Sequence, residues 1–389
     1  MTITLRPHQK DAVKAMLKHD RGQVLIPTGG GKTLCMIEDT KIHFKLFENQ
    51  VHVIVAPRIL LAEQLCSEFL EQTDAHMMHV HSGETDHFST TKADTVRLWS
   101  ENVGGNQLIF TTYNSLRRIE ESGIKVDSIY FDEAHNSVKR NFFPSTEFYS
   151  HNADRCYFFT ATRRTSATIF KPGMNDTEVY GDVIYRVPAT KLVDGGYILP
   201  PQIKAKKFEV LKANEISADR DCNNIVETLE ENNTSKVLVC VKSAKQLINL
   251  MSQTDFAMRL NDMGYSFLYI TSKTGAIIDG QKVNREVFFN TLNAWGKDPS
   301  KKFVCLHRSI LSEGISVNGL ESVIFLRNMD VIEMTQTIGR VLRTAPNKTY
   351  GLCVVPVYSQ VGIATEKRMQ NVVDTVFGRG EMLDSVVNR

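Results

Sequence analysis

No apolar run in the sequence approaches the ~20 residues of a membrane-spanning helix. The stretch Met1 to Gln9 has no basic region followed by an apolar one, so no secretory signal is expected. The expected place is the cytoplasm, or the nucleus, or a host cell if the protein is viral; secretion and membrane insertion are not expected. Cysteine is sparse and irregularly placed: there are seven, an odd number, with no C-x-x-C spacing. Neither a disulfide framework nor a zinc site is therefore expected. Cys240, Cys305 and Cys353 sit inside apolar runs and are expected to act as small buried hydrophobes. An excess of one charge is also missing, because 46 Lys and Arg face 44 Asp and Glu for a formal net charge of +2. Any basic groove must then be local. With 42% hydrophobic and 23% charged residues, the composition fits neither a disordered nor a collagen-like chain.

What is present is an alternation of strand and helix over 389 residues, a length suited to two domains of about 150 to 200 residues each. The alternation is organised around Ile26-Pro-Thr-Gly-Gly-Gly-Lys-Thr33, which lies between an apolar run, Gln23 to Ile26, and a helix expected to open at Lys32. In the loop that Thr28 opens, Gly29, Gly30 and Gly31 can turn backbone N–H groups toward an anion without side-chain obstruction, and the following helix dipole adds to the attraction. Lys32 supplies a cation for β- and γ-phosphates, and Thr33 a hydroxyl for Mg²⁺. Ile26 stands where the usual pattern has glycine. Upstream, Gln9 is expected just ahead of a helix over Asp11 to Lys18; its amide suits an adenine edge, or simply a solvated turn.

Val51 to Ala56, Gln107 to Tyr113, Asp127 to Phe131 and Arg155 to Thr162 are expected as strands, while residues 74 to 105 are polar and suggest no firm element. The third of these strands delivers Asp132-Glu-Ala-His135. Two carboxylates at the C-terminal end of a parallel strand lie where α/β sheets bind ligands. Asp132 is the candidate Mg²⁺ partner, and Glu133 the candidate for orienting or deprotonating an attacking water. Hydroxyls of Thr160 and Thr162 are expected near the acidic group. Periodicity is lost from Tyr185 to Pro201, where Asp194-Gly-Gly196 and Pro200-Pro201 signal a turn and linker. The boundary is placed near Leu199 to Lys204, giving domains 1–200 and 201–389. In the second half, runs at Lys236, Ser266, Phe303, Ser322 and Gly351 suit buried parallel strands, with helices over Ala244 to Met251, Asn284 to Trp295 and Val331 to Leu342. There is no second phosphate loop. Gln336, Gly339, Arg340 and Arg343 instead share one face of the last helix, an arrangement that suits a triphosphate or a solvated basic face.

The ordered set of Gln9, the phosphate loop, Ala56-Pro-Arg58, Thr111-Thr-Tyr113, Asp132-Glu-Ala-His135, Thr160-Ala-Thr162, Asp194 to Pro201, Ser312-Glu-Gly-Ile315 and Gln336 to Arg343 resembles superfamily 2 helicases of the DEAH-type group. That group includes restriction-enzyme motor subunits, XPB-like repair helicases and phage UvsW-like helicases. The resemblance implies an α/β fold of two RecA-like lobes, each a mostly parallel sheet flanked by helices, with ATP and Mg²⁺ in the interdomain cleft. It also implies a nucleotide contact at Gly314 and catalytic roles for Gln336, Arg340 and Arg343. Arg58, Thr111, Thr112 and Ser243 fall where phosphate-backbone contacts are made. The expected function is an ATP-dependent helicase or translocase, with DNA favoured and RNA still open. The alternative is an ATP-gated remodeller or clamp that anneals, branch-migrates or displaces protein without processive unwinding. With little chain outside the motifs, a bare motor dependent on protein partners or on substrate shape for targeting is expected.

Overall fold

The computed structural model describes residues 4–387 except 84, 169, 208–215, 272, 309–316, 318 and 358–359, and only the backbone of 207, 360, 361 and 387. It divides into two compact units, Met1–Pro188 with Leu383–Arg389, and Ala189–Met382. No described helix is long and apolar enough to cross a membrane.

The first unit opens with α1 (Pro7–Met16), β1 (Arg21–Leu25), α2 (Lys32–Leu46), β2 (Val51–Ala56), α3 (Ile59–Leu70) and β3 (His76–Val80). It continues through α4 (Ala93–Val103), β4 (Gln107–Thr112), α5 (Leu116–Ser122), β5 (Ser128–Phe131), α6 (Phe143–Asn152) and β6 (Arg155–Thr160). The last elements before the division are β7 (Arg164–Ser166), α7 (Thr177–Tyr180) and β8 (Val183–Arg186). Seven strands form one sheet in the order β3-β4-β2-β5-β6-β1-β8. Every pairing in it is parallel. Helices cover both faces of such a sheet, which is why β2, β4 and β5 are buried along their whole length.

Two elements occupy the polar stretch that suggested none. β3 is an edge strand whose first residues are exposed or half-buried, and α4 buries only Val96 fully, with Trp99 packed partly against the core. Neither carries the continuous apolar signal of an interior element. On the opposite side of the sheet, α2 is tied to β6 through a buried ion pair. Arg155 donates from both terminal nitrogens to the Asp39 carboxylate, at 2.8 Å each, and Tyr130 Oη donates to the same carboxylate at 2.7 Å.

The second unit contains α8 (Ala189–Asp194), β9 (Pro201–Lys207), α9 (Ser217–Asn232), β10 (Lys236–Cys240), α10 (Ala244–Gln253), α11 (Phe256–Asp262) and β11 (Ser266–Thr271). β12 (Gly275–Ile278), β13 (Gln281–Val283), α12 (Arg285–Lys297), β14 (Phe303–His307) and β15 (Ser322–Phe325) follow. α13 (Val331–Val341), β16 (Gly351–Val357), α14 (Gln360–Val372) and a π-helical turn over Val373–Gly378 complete the unit, and β17 (Ser385–Val387) returns to pair with β7 of the first. The eight-stranded sheet has the order β13-β12-β11-β14-β10-β15-β16-β9. It is parallel except where β12 pairs with β11 and β13. Asp279 and Gly280, at φ 46° and 81°, make the tight turn between those last two strands. The stretch read as a linker holds the end of β8, then α8 and a turn at Gly196, and β9 opens at Pro201 as an edge strand of the second sheet.

Candidate active site

β1 leads directly into the glycine turn. Ile26 is fully buried and its N–H donates to the Thr160 carbonyl of β6 at 3.2 Å, so the larger side chain is absorbed by the core and no glycine is needed. Gly29 and Gly31 have φ of 85° and 80°, a region that side chains with a Cβ rarely adopt. Gly31 precedes α2, which opens at Lys32 as expected. A Cβ at Gly31 would also stand 2.3 Å from Gln9 Nε2. Gln9 lies within the first turn of α1 rather than ahead of the helix, because α1 already opens at Pro7. Its amide donates to the carbonyls of Gly30 and Gly31 at 3.2 and 3.3 Å and accepts from the Arg6 N–H at 2.8 Å. One end of the Gln9 amide therefore braces the loop while the other is held at the start of α1. His8, which the sequence did not single out, adds a 2.8 Å bond from Nε2 to the Gly30 carbonyl.

The acidic segment leaves β5, with β6 lying between it and β1 in the sheet. The sheet register aligns Phe131 with Phe158, and Thr160 with Leu25, so the turns after all three strands open on one edge. Lys32 Nζ lies 3.5 Å from Glu133 Oε1. Glu133 has φ 46°, a left-handed conformation uncommon for any residue but glycine, and it starts the short helical turn Ala134–Asn136. Asn136 holds that turn by donating to the Glu133 carbonyl at 3.0 Å. Tyr113 donates its hydroxyl to the Asp132 carbonyl at 2.8 Å, leaving the Asp132 carboxylate for other partners. Burial first, and the Glu133 charge next, push the Asp132 carboxyl up, against the opposing pull of Lys32.

The threonine hydroxyls do not bond the carboxylates. Thr160 Oγ1 lies 3.0 Å from His135 Nδ1 and donates to the Thr162 carbonyl at 2.9 Å. Asn136 Nδ2 lies 3.2 Å from His135 Nε2, so the bonding pattern assigns the imidazole proton to Nδ1. Burial holds the His135 pKa down to about 4, consistent with a neutral ring that joins the acidic turn to the end of β6.

The fit to a nucleotide rests on this chain's own atoms. The Thr28 hydroxyl is buried and has no hydrogen-bond partner among the described residues. The loop N–H groups, Lys32 and the α2 N-terminus supply positive potential, while Thr33 and Asp132 offer oxygen donors of the kind Mg²⁺ takes.

Other expected residues are placed differently. Thr111 is fully buried in β4 and donates to the Val80 carbonyl at 2.9 Å, so it presents nothing to a bound strand. Thr112 is nearly as buried and its hydroxyl donates to Ser115 at 3.3 Å. Arg58 precedes α3 and is partly exposed. In the second unit, Ser243 caps α10 by accepting from the Gln246 N–H at 3.1 Å and lines a cavity of about 430 Å³ with Arg220, Lys242 and Lys245. Gln336 and Arg340 are buried on α13. Arg343 is not on that helix face, because α13 ends at Val341 with Leu342 as its cap. Lys348 Nζ donates to the carbonyls of Val341, Arg343 and Leu320, closing the chain beyond the helix end. Burial, then the charges of Arg340 and Arg327, hold His307 down to about 3. Gly314 lies outside the described residues.

Each unit is a mostly parallel sheet flanked by helices, and the first sets a phosphate loop beside an acidic strand end; both features are shared with known proteins. Residues 2–164 match the family described as the res subunit of type III restriction enzymes. The DNA 3'-5' translocase XPB2 of Sulfurisphaera tokodaii is 31% identical over 220 residues, covering 55% of this chain and 42% of that protein. The chain thus spans less than half the length of this curated relative. The ATP-dependent type ISP restriction-modification enzyme LlaBIII, solved bound to DNA, superposes with a TM-score of 0.75 at 17% identity, over 99% of this chain and 32% of that one. A nuclease-deletion mutant of the type ISP enzyme LlaGI, in complex with a DNA substrate mimic, gives 0.67 at 18% identity, over 97% and 29%. At these identities the likeness shows the fold.

Proposed function

We propose that the chain is a nucleic-acid-stimulated ATPase that moves along DNA as a translocase or helicase. The observation that carries this reading is the pairing of Lys32 with Glu133 at 3.5 Å, beside a buried Asp132, on turns from one sheet edge. Lys32 neutralises charge on the terminal phosphates, and the loop N–H groups hold them in place. Thr33 and Asp132 would hold Mg²⁺, which supplies further charge neutralisation when bound. Glu133 orients water and accepts its proton. The matched relative is named a DNA translocase and two solved neighbours were studied with DNA or a DNA mimic, which supports DNA over RNA as the track. The charge donors expected from the second unit are Gln336 and Arg340 on α13, together with Arg343 beyond its end.

ATP turnover measured with duplex, forked and single-stranded DNA, and with a matched RNA duplex, tests this reading. DNA is expected to stimulate turnover more than RNA. Lys32→Ala should lower the stimulated rate by at least about a hundredfold, as loss of a preorganised charge donor does elsewhere. Turnover indifferent to every nucleic acid would overturn the motor reading.

A further inference from the structure

At the far edge of the first sheet, with four strands between it and β1, a second group of donors converges. Cys66 on α3, His79 on β3 and His87 in the segment after β3 each offer a ligand atom, and these atoms all lie within 4.8 Å of one another. Residues 85–90 are laid along the strand by backbone bonds: His79 N–H donates to the Phe88 carbonyl at 2.8 Å, and Thr90 N–H to the His79 carbonyl at 3.0 Å. That return stacks the His87 ring on His79, with centroids 5.7 Å apart and planes at 12°. Cys66 Sγ lies 3.6 Å from the Met77 thioether sulfur. Cys66 and His79 are buried, whereas His87 is partly exposed and gives the group a side open to water.

One nitrogen in this group is unexplained. His79 Nε2 is buried without a hydrogen-bond partner. His79 Nδ1 lies 3.0 Å from His81 Nε2, and His81 Nδ1 accepts from the Gly83 N–H at 3.2 Å. That chain of bonds puts the His81 proton on Nε2, where it donates to His79 Nδ1, and so leaves His79 with an N–H at Nε2 that has no acceptor. A buried polar group left in that way costs about 1–3 kcal/mol.

We propose that Cys66, His79 and His87 form a binding site for one d¹⁰ cation, Zn²⁺ or Cu⁺, independent of the nucleotide site. One thiolate and two imidazoles are a borderline-to-soft donor set that suits these ions over Mg²⁺ or Ca²⁺. With metal–ligand bonds of about 2.0–2.3 Å, ligand atoms around a tetrahedral centre stand about 3.4–3.8 Å apart, so the present group needs to close by about 1 Å. Rotation of the partly exposed His87 supplies that movement. On binding, the cation takes the lone pair of His79 Nε2, the imidazole protons shift to Nδ1 of His79 and Nδ1 of His81, and the Gly83 bond is given up. The two imidazoles stay neutral, and the Cys66 thiol releases one proton to solvent. His79 then donates to His81, the outer-shell partner that metal-bound histidines ordinarily have. The cation would clasp residues 85–90 to α3 and β3. The ligands are separated along the chain and follow no recognised metal spacing, which is why the sequence suggested no zinc site.

The test uses the full metal-free chain. Co²⁺ serves as spectroscopic probe, and Zn²⁺ and Cu⁺ are titrated in competition with chromophoric chelators. One ion per chain, a thiolate-to-cobalt charge-transfer band and a Zn²⁺- or Cu⁺-dependent rise in unfolding temperature are expected. Cys66→Ser should abolish the band. His87→Ala, at a partly exposed position, should keep the fold and ATP turnover yet weaken binding by more than the about 10- to 100-fold that loss of an outer-shell partner costs. Absence of the band in the wild-type chain, or binding that survives unchanged in His87→Ala, would overturn the site. Neither result bears on the motor reading, because turnover is measured separately.

Discussion

At the scale of single residues, the site is built from side chains whose backbones are held in unusual positions. Glu133 sits at φ 46°, a conformation that costs a non-glycine residue roughly 1–2 kcal/mol, and Asn136 and the turn that follows hold it there. The result is a carboxylate facing Lys32 rather than solvent. Glu133→Gln keeps the shape but cannot accept a proton, so hydrolysis is expected to fall by at least about a hundredfold. Nucleotide affinity, measured on the same preparation, should stay within a few-fold of wild type; joint loss of binding and turnover would make Glu133 a structural residue. Arg340 belongs to the same scale. Its planar guanidinium has several donors for charge spread over phosphoryl oxygens, which lysine's single ammonium cannot reproduce. Arginine fingers are worth about 10³–10⁵ in turnover, so Arg340→Lys should lower the nucleic-acid-stimulated rate at least about a hundredfold with little change in ATP affinity. A change of only a few-fold would make Arg340 a packing residue of α13. The types of these residues and their order could be read from the sequence. Their bonding could not: Gln9 and His8 brace the loop through contacts with carbonyls more than twenty residues away, which no local pattern encodes.

At the scale of elements, the phosphate loop depends on how α2 is fixed to the sheet. Asp39, one face of α2 beyond the loop, is fully buried and held by Arg155 and Tyr130 from β6 and β5. Removing one partner of such a pair leaves an uncompensated buried charge, so Arg155→Met is expected to destabilise the chain by about 3–5 kcal/mol in denaturant unfolding. Asp39→Leu combined with Arg155→Met removes both charges and should recover much of that loss. If the double variant were less stable than Arg155→Met, the ion pair would not be the source of the effect. The same scale explains what could be read in advance. Strands buried on both faces announce themselves as apolar runs, and β2, β4, β5, β10 and β14 were legible for that reason. β3 and α4 were not, because an edge strand and a helix with one fully buried residue carry little apolar signal. The Asp279-Gly280 hairpin did carry a turn signal, but the strands beside it are three and four residues long. Arg343 was misplaced because helical spacing continues past Val341, while the carbonyls there are taken by Lys348, a contact that depends on tertiary structure.

At the scale of the whole molecule, the two units differ in how many buried histidines they carry. In the first, burial is the leading cause that lowers the pKa of His8, His52, His79, His81 and His135, with His79 at about 3 and His135 at about 4. In the second, His307 is the one lowered histidine among the described residues, at about 3. Each of these groups binds a proton more readily when unfolded, near pH 6.5, than when folded. Its contribution is therefore present above about pH 6.5 and is lost as pH falls toward the folded value. The raised Asp132 carboxyl works in the opposite direction, but it is one group against five. The first unit is thus expected to weaken faster than the second between pH 6.5 and pH 4. The two tryptophans allow a direct comparison, since Trp99 lies in the first unit and Trp295 in the second. In Trp295→Phe the remaining fluorescence follows the first unit, and in Trp99→Phe it follows the second. The denaturant midpoint reported by Trp99 should drop more from pH 7 to pH 5 than that reported by Trp295, and His52→Phe, which removes one buried titratable ring, should narrow the difference. Equal shifts at both tryptophans would mean that the buried histidines do not set the acid stability of this chain.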